Sequence, residues 1–369
     1  MNSVRRKHSD YWLSLSVFAL ICFGLIMIYS VSKYYSLDVT DGATDKLYLK
    51  KQIFTVAIGL IAWIVMQAID YRFWLKHAGK MFYATLGLLA LPIILEPFGI
   101  ARAGRWIDFL GFNFQPAELA KLTFIFYLAA WFAQKGENQK KIQESFWSFV
   151  GIVGIIAGFM LLEKDLGTLA IFVIISAGMF IMAGAPLSQI FSGGALAAAL
   201  VWLAVKIEPY RMQRFLTFLN PENDSLSSGY HIKNALIAIG SGGLWGLGFG
   251  QSRQKYLYLP EAHTDSIFAI ICEELGMVRA SLIIVVFIFI AMRGLKIALR
   301  APDIFSRLLA ASITFWLFAQ MAINISAMFS LVPLTGIPLP FISYGGTSVI
   351  ILLSAVGVLS NISKHTTDR

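Results

Sequence analysis

From Leu166 to Val205 the chain reads LGTLAIFVIISAGMFIMAGAPLSQIFSGGALAAALVWLAV, forty residues without an Asp, Glu, Lys or Arg. An α-helix rises 1.5 Å per residue, so about 20 apolar residues cross a hydrocarbon layer of roughly 30 Å. Forty residues are therefore two crossings, and Gly184-Ala185-Pro186 supplies the turn between them. A second uncharged stretch, Leu308 to Ser363, divides in the same way at Pro333-Leu334-Thr335-Gly336-Ile337-Pro338-Leu339-Pro340. Its prolines lack an N–H and clash with the preceding turn, so no helix runs through it.

Working outward, Tyr11 to Ser32, Gln52 to Ile69 and Ser145 to Leu162 are also uncharged and of membrane length. Weaker spans complete an all-α polytopic membrane protein of about ten helices, near 11–32, 52–69, 78–96, 117–134, 145–162, 166–183, 187–205, 265–292, 308–331 and 344–363. The composition agrees: of 369 residues 57% are hydrophobic and 14% charged, with a mean hydropathy of +0.70. A soluble domain carries roughly 25% charged residues. No soluble domain is separable from this single membrane body. The basic start and the apolar stretch after it resemble a signal peptide, but 22 residues without a small-residue cleavage site read as a retained first span.

Lys and Arg in short connections orient such a protein. With the N-terminus cytoplasmic, the inner segments hold 15: Arg5, Arg6, Lys7, Arg72, Lys76, Lys80, Lys135, Lys140, Lys141, Arg293, Lys296, Arg300, Arg307, Lys364 and Arg369. The outer short connections hold seven: Lys33, Lys46, Lys50, Lys51, Arg102, Arg105 and Lys164. Both termini are thus expected in the cytoplasm, with a long extracytoplasmic loop at 206–264 between spans seven and eight. The net charge of +9 then reflects topology and anionic headgroups, and nucleic acid is not an expected partner. Cys22 and Cys272, both in spans, offer neither a disulfide frame nor a metal set.

Inside the long loop, residues 229–250 are too apolar for free loop and too rich in glycine for a crossing, and they read as a re-entrant or interfacial segment. Gly242, Gly246 and Gly250 recur at spacing four, which suits close helix packing, with ligand contact as the other reading. Arg105 to Leu110 reads as a second dip into the membrane.

Four polar sets stand where an inert bundle would use leucine. Glu261, His263 and Asp265 sit at the start of span eight, where ionisable groups mark function but where a helix N-terminus also favours Asp. Glu118 and Lys121 lie three apart near the start of span four. Glu163, Lys164 and Asp165 close span five, and either Asp165 or Glu118 could pair with Lys121, as a structural or a functional ion pair. The fourth set, Arg105, Arg211, Arg214, Lys233, Arg253 and Lys255, suits either a phosphate-bearing partner or snorkelling to headgroups. Glu273 falls near the Asp265 side of its helix, and Glu274 opposite.

Taken together these residues resemble the FtsW/RodA/SpoVE family of bacterial shape, elongation, division and sporulation proteins. The resemblance covers almost the whole chain. It rests on Gly104-Arg105-Trp106-Ile107, Phe114-Gln115-Pro116-Ala117-Glu118-Leu119-Ala120-Lys121, Asp165-Leu166-Gly167-Thr168, Gly240-Ser241-Gly242-Gly243, Leu259 to Asp265 with Glu273-Glu274-Leu275-Gly276, and Pro333 to Ser348 with Ser343, Gly345 and Gly346. It implies a peptidoglycan glycosyltransferase that polymerises lipid II into β-1,4 strands at the outer face of the bacterial cytoplasmic membrane. Asp265 would be the essential residue, with Lys121, Asp165 and Glu118 shaping an outward cavity. Arg105, Arg211, Arg214 and Lys255 would serve the pyrophosphates. A lipid II flippase and a non-catalytic division scaffold are the alternative readings.

The resemblance also implies a class B penicillin-binding transpeptidase as partner, beside other division or elongation membrane proteins. No cofactor is evident, and a divalent cation is compatible with the chemistry. Gln254-Lys255 and Tyr258-Leu259-Pro260-Glu261-Ala262 are more similar to the division and sporulation branch. Three positions depart from the pattern: Ser266 where Phe is usual, Lys164 where Pro is common, and Arg279 where a small residue is expected. An arginine buried at position 279 would need a partner.

Overall fold

The computed structural model describes residues 8–99, 101–102, 104–109, 112–136, 138–220 and 228–366. Arg5, Arg6, Lys7, Leu110 and Arg369 lie outside the described residues. Helices α1 (Tyr11–Val39), α2 (Leu47–Ala68) and α3 (Tyr71–Leu95) lead into three short strands, β1 (Ala101–Arg102), β2 (Trp106–Phe109) and β3 (Phe112–Phe114). Then follow α4 (Pro116–Ala133), the short α5 (Gln139–Glu144), α6 (Phe146–Leu162), α7 (Leu166–Met182) and α8 (Leu187–Ile207). The long connection carries α9 (Pro209–Leu219) and α10 (Ser228–Gly242). The chain ends with α11 (Ile267–Leu275), α12 (Met277–Leu299), α13 (Ile304–Met328) and α14 (Gly346–Lys364).

Ten helical spans result, with α11 and α12 sharing one. Seven helices among the described residues are long and apolar enough to cross a membrane alone, and α6 and α7 are apolar at 17 residues each. The tenth, α4, has 18 residues and carries the Glu118 and Lys121 charges. Aspartates open several helices by accepting an orphan backbone N–H: Asp10 from Leu13 at 3.0 Å, Asp165 from Thr168 at 2.9 Å, and Asp303 from Ser306 at 2.8 Å. Pro116 takes the first position of α4, where no N–H is needed.

The core lies on α13 and α14. Of the apolar window of α14 89% is buried, against 6% for α8, which stands at the rim. α14 runs along α2, α3 along α4, and α12 along α13. The Asp10 amide donates to Ser363 Oγ, and Arg293 pairs with the Asp10 carboxylate, so both ends of the described chain meet at one end of the bundle. The opposite end collects the strands, the α6–α7 turn, the long connection and the loop between α13 and α14.

The structure departs from the expected layout in several places. Where a dip into the membrane was expected at Arg105, an antiparallel sheet forms, with Arg102 opposite Trp106 and Ile107 opposite Phe114; Gly104, at φ +61°, makes the turn. Arg279 is exposed, and its guanidinium donates to the Trp245 carbonyl at 3.2 Å. Lys164 sits at φ +58°, a conformation that the ring of a proline forbids.

The span expected at 265–292 is broken at Gly276, which has φ +82°. A helix break buried in apolar surroundings leaves carbonyls and amides without partners. The glycine turn after α10 supplies them. Leu247 and Gly248 donate to the Glu273 and Glu274 carbonyls at 3.0 Å each, while Met277 and Val278 donate back to Gly243 at 2.9 Å and Leu244 at 3.2 Å. This exchange requires backbone-to-backbone approach, which is why Gly242 and Gly246 have no side chain, whereas Gly250 faces open space.

A Cβ on Gly242 would lie 2.8 Å from Glu273 Cα, but a Cβ on Gly240 meets nothing within 4 Å. Gly242→Ala should therefore cost about 1–3 kcal/mol through overpacking. Gly240→Ala should be neutral or gain up to about 1 kcal/mol from helix propensity. Thermal unfolding of the two purified variants in detergent checks the contrast.

Candidate active site

Asp265 lies in the turn before α11, so its carboxylate is carried by a loop and not by the span itself. The turn is tight because Thr264 and Ser266 both donate their amides to the Glu261 carbonyl, at 3.0 and 3.2 Å, with Glu261 itself at φ +49°. From below, Asn324 of α13 donates one amide group to two carbonyls, Asp265 O at 2.7 Å and Ile337 O at 2.8 Å. One turn earlier Gln320 donates to Pro338 O at 3.0 Å and accepts from Trp316 Nε1 at 2.9 Å. The proline loop and the Asp265 turn are thus fixed to the same helix face.

Above them opens a cavity of about 620 Å³, walled by the sheet, the starts of α4 and α7, α9, α10, the Asp265 turn and the proline loop. Of the residues singled out in the sequence, Asp265, Glu261, Glu118, Lys121, Asp165, Arg105, Arg214, Gly345 and Gly346 line it. Burial, followed by the charge of Glu261, pushes the Asp265 carboxyl up to about 7; hydrogen bonds from its own backbone amide, from Thr264 and from Ser266 act in the opposite direction. The Thr264 hydroxyl is 3.4 Å from Asp265 Oδ1. Gly336 belongs here too, since a Cβ on it would stand 4.0 Å from Asp265 Oδ2.

Lys121 takes Glu118 as its partner, at 2.7 Å, with its ammonium 5.3 Å from the Trp316 ring centre. Asp165 instead caps α7 through Thr168 and stands 3.9 Å from Arg105. Arg105 Nε donates to the Glu163 carbonyl at 2.6 Å and a second guanidinium nitrogen donates to Lys164 O, so this arginine ties the sheet to the α6–α7 turn while keeping a 30% exposed side chain. Arg214 is exposed.

Arg211, Lys255, His263 and Ser343 lie off the cavity, as do Lys233 and Arg253. Arg211 is buried and donates to the Ala204 carbonyl at 3.1 Å and the Leu161 carbonyl at 3.3 Å, clamping α9 to α8 and α6. Lys255 is buried against Glu274 at 2.9 Å, Ser30 at 3.2 Å and the Gly250 carbonyl at 2.6 Å. Neither points a free charge at a ligand in this arrangement. His263 packs in a ring cluster with Tyr35, Tyr48 and Tyr344, and Ser343 Oγ accepts from Leu339 N at 2.8 Å to close its turn.

Glu273 accepts from Ser252, from Arg253 N at 2.9 Å and from Gln254 N at 3.4 Å, stapling the connection to α11. Asn324, Gln320 and His231, the last of which also lines the cavity, were not singled out in the sequence. The available signal was polar amides inside the uncharged stretch of α13. Among the described residues no three His, Cys, Asp or Glu side chains are grouped to hold a metal ion.

The FtsW/RodA/SpoVE model, described as a cell cycle protein, matches residues 11–368, so the chain belongs to that family and is a multi-pass membrane protein. It is 36% identical over 366 residues to stage V sporulation protein E of Bacillus subtilis, covering 98% of this chain and 99% of that protein. It is 38% identical over 367 residues to the "Probable peptidoglycan glycosyltransferase FtsW" of Geobacter metallireducens, covering 99% and 97%. Among solved structures, a chain of a peptidoglycan synthase complex coordinating polymerization and crosslinking superposes with a TM-score of 0.79 at 24% identity, covering 96% of this chain and 97% of that one.

The Lys121–Glu118 pair separates structure from chemistry. Removing one partner of a buried pair leaves an uncompensated charge and costs about 3–5 kcal/mol, whereas an apolar pair of similar volume is near neutral. Lys121→Met should therefore lower the unfolding temperature in detergent, and Lys121→Met with Glu118→Leu should restore most of it.

Proposed function

We propose that this member of the family is a peptidoglycan glycosyltransferase that joins lipid II units at the face of the membrane where the Asp265 cavity opens, taken as the outer face from the Lys and Arg distribution. Asp265 carries the reading: it is a buried carboxyl on the wall of the cavity, with Arg105 and Arg214 lining the same space. The names of the relatives and the family pattern around His263-Thr264-Asp265 support the choice of substrate.

The reaction joins a sugar 4-hydroxyl of one unit to the anomeric carbon at the reducing end of the growing chain. Asp265 takes the hydroxyl proton as the new C–O bond forms and the anomeric C–O bond to the pyrophosphate breaks. A positioned base contributes about 10²- to 10⁴-fold to such a step. Arg105 and Arg214 face the charge that builds on the departing pyrophosphate, where fixed cations act most strongly. In-line attack inverts the centre, giving a β link from an α donor. Lys121 with Glu118, and Asp165 with Arg105, hold the shape of the pocket.

The similarity to the sporulation and division proteins favours that branch, and cross-linking is assigned to a separate class B transpeptidase. Purified protein given labelled lipid II should form glycan strands. Asp265→Asn should lose at least 100-fold of the rate. An unchanged rate in that variant removes the base assignment, and transfer of lipid II across vesicles without bond formation would identify a carrier.

The pH dependence has a definite sign. A base must be ionised, so the rate should rise along an acid limb centred near pH 7, the value to which burial pushes Asp265. Stability runs the other way: with the folded value above the unfolded one, the group favours the fold below about pH 4 and loses that contribution as pH rises through about 7. Initial rates between pH 5 and 9 check the limb.

A further inference from the structure

We propose that His231 is a positioning residue for Asp265, a neutral Nε2–H imidazole that braces the carboxylate-bearing turn from α10 through Ser266. The inference rests on the reading of Asp265 as the base. Ser266 Oγ lies 3.0 Å from the Pro260 carbonyl and 2.5 Å from His231 Nε2. The Pro260 carbonyl and the Asp265 carboxylate, the other partners of this hydroxyl, both accept, so its single proton points to them and the serine oxygen accepts from the histidine. That places the ring proton on Nε2 and leaves Nδ1 as a lone-pair acceptor on a ring that lines the cavity.

The surroundings keep this ring neutral. Burial pushes His231 down to about 4, Arg214 acts in the same direction, and Glu261 opposes them; all three side chains line the same cavity. Ser266 is fully buried, so its hydroxyl has no water to turn to. Asn324 holds the carbonyl of Asp265 from α13, and His231 holds the next residue from α10. The turn is clamped between a core helix and the long connection.

Displacing a base by about 1 Å can cost on the order of 100-fold in rate, and partial loosening should cost less. In full-length protein with saturating lipid II, His231→Ala should lower the rate about ten-fold with KM changed less than about two-fold. His231→Gln, whose amide N–H reaches the same place, should recover most of the loss. In a Ser266→Ala background, His231→Ala should cause no further loss, because the two side chains act as one unit.

A parent rate in His231→Ala, additive losses, or a change confined to KM would overturn the proposal. If His231→Ala does not give a monodisperse protein, Ser266→Ala alone carries the test: a ten-fold loss supports the brace and a parent rate overturns it. Asp265→Asn is measured alongside. Activity there refutes the base assignment, whereas an inactive Asp265→Asn with a parent-rate His231→Ala refutes only the brace.

Discussion

Everything at this site follows from holding one carboxyl dry without giving it a cation of its own. Most other buried acids among the described residues have partners: Glu118 has Lys121 on one oxygen, Glu274 has Lys255 and Ser30, Glu273 has three donors, and Asp165 has Thr168 and Arg105. Asp265 is 7% exposed and, among the described residues, within ion-pair distance of no cation. Desolvation therefore wins over its hydrogen bonds and raises its proton affinity. Glu163 is similar in this, with two unpartnered oxygens and a value near 8, but it does not line the cavity. An acid with satisfied partners is a strut, and an acid left short of them beside open space is available for proton transfer.

The rest of the molecule reads as support for that condition. Asn324 bridges the Asp265 turn and the proline loop with a single amide, and Gln320 repeats the device one helical turn away. The Thr347 hydroxyl accepts from Gln115 N at 3.1 Å and donates to Asn113 O at 3.0 Å, tying α14 to the sheet beside the cavity. The break at Gly276 lets α11 end without stranding its carbonyls, and the turn from α10 covers it. Each polar contact sits where an unsatisfied group inside an apolar bundle would cost several kcal/mol.

Most of the bundle was legible because membrane spans announce themselves by length and lack of charge, and Asp265, Lys121 and Asp165 because ionisable residues are costly there. What escaped was short or long-range. Strands of two to four residues such as β1 and β3 are below the length at which alternation can be read. A lone Gly276 inside a span-length segment gives no measure of its φ. Lys255 looked available because its partner Glu274 lies 19 positions away and Ser30 much further. Arg279 looked buried because its segment is apolar, yet it begins α12 where its guanidinium reaches Trp245 O. His231 gave no signal, since its meaning depends on Ser266 across a fold that spacing does not encode.

The most direct test of the central claim is to titrate the Asp265 carboxyl itself. Infrared difference spectra of the full-length protein, taken from pH 4 to 10 and compared with Asp265→Asn, isolate the C=O stretch of its protonated form. A band present at pH 5 and lost with a midpoint near 7 is the predicted result. A carboxyl already ionised at pH 5, or still protonated above pH 9, would contradict the account.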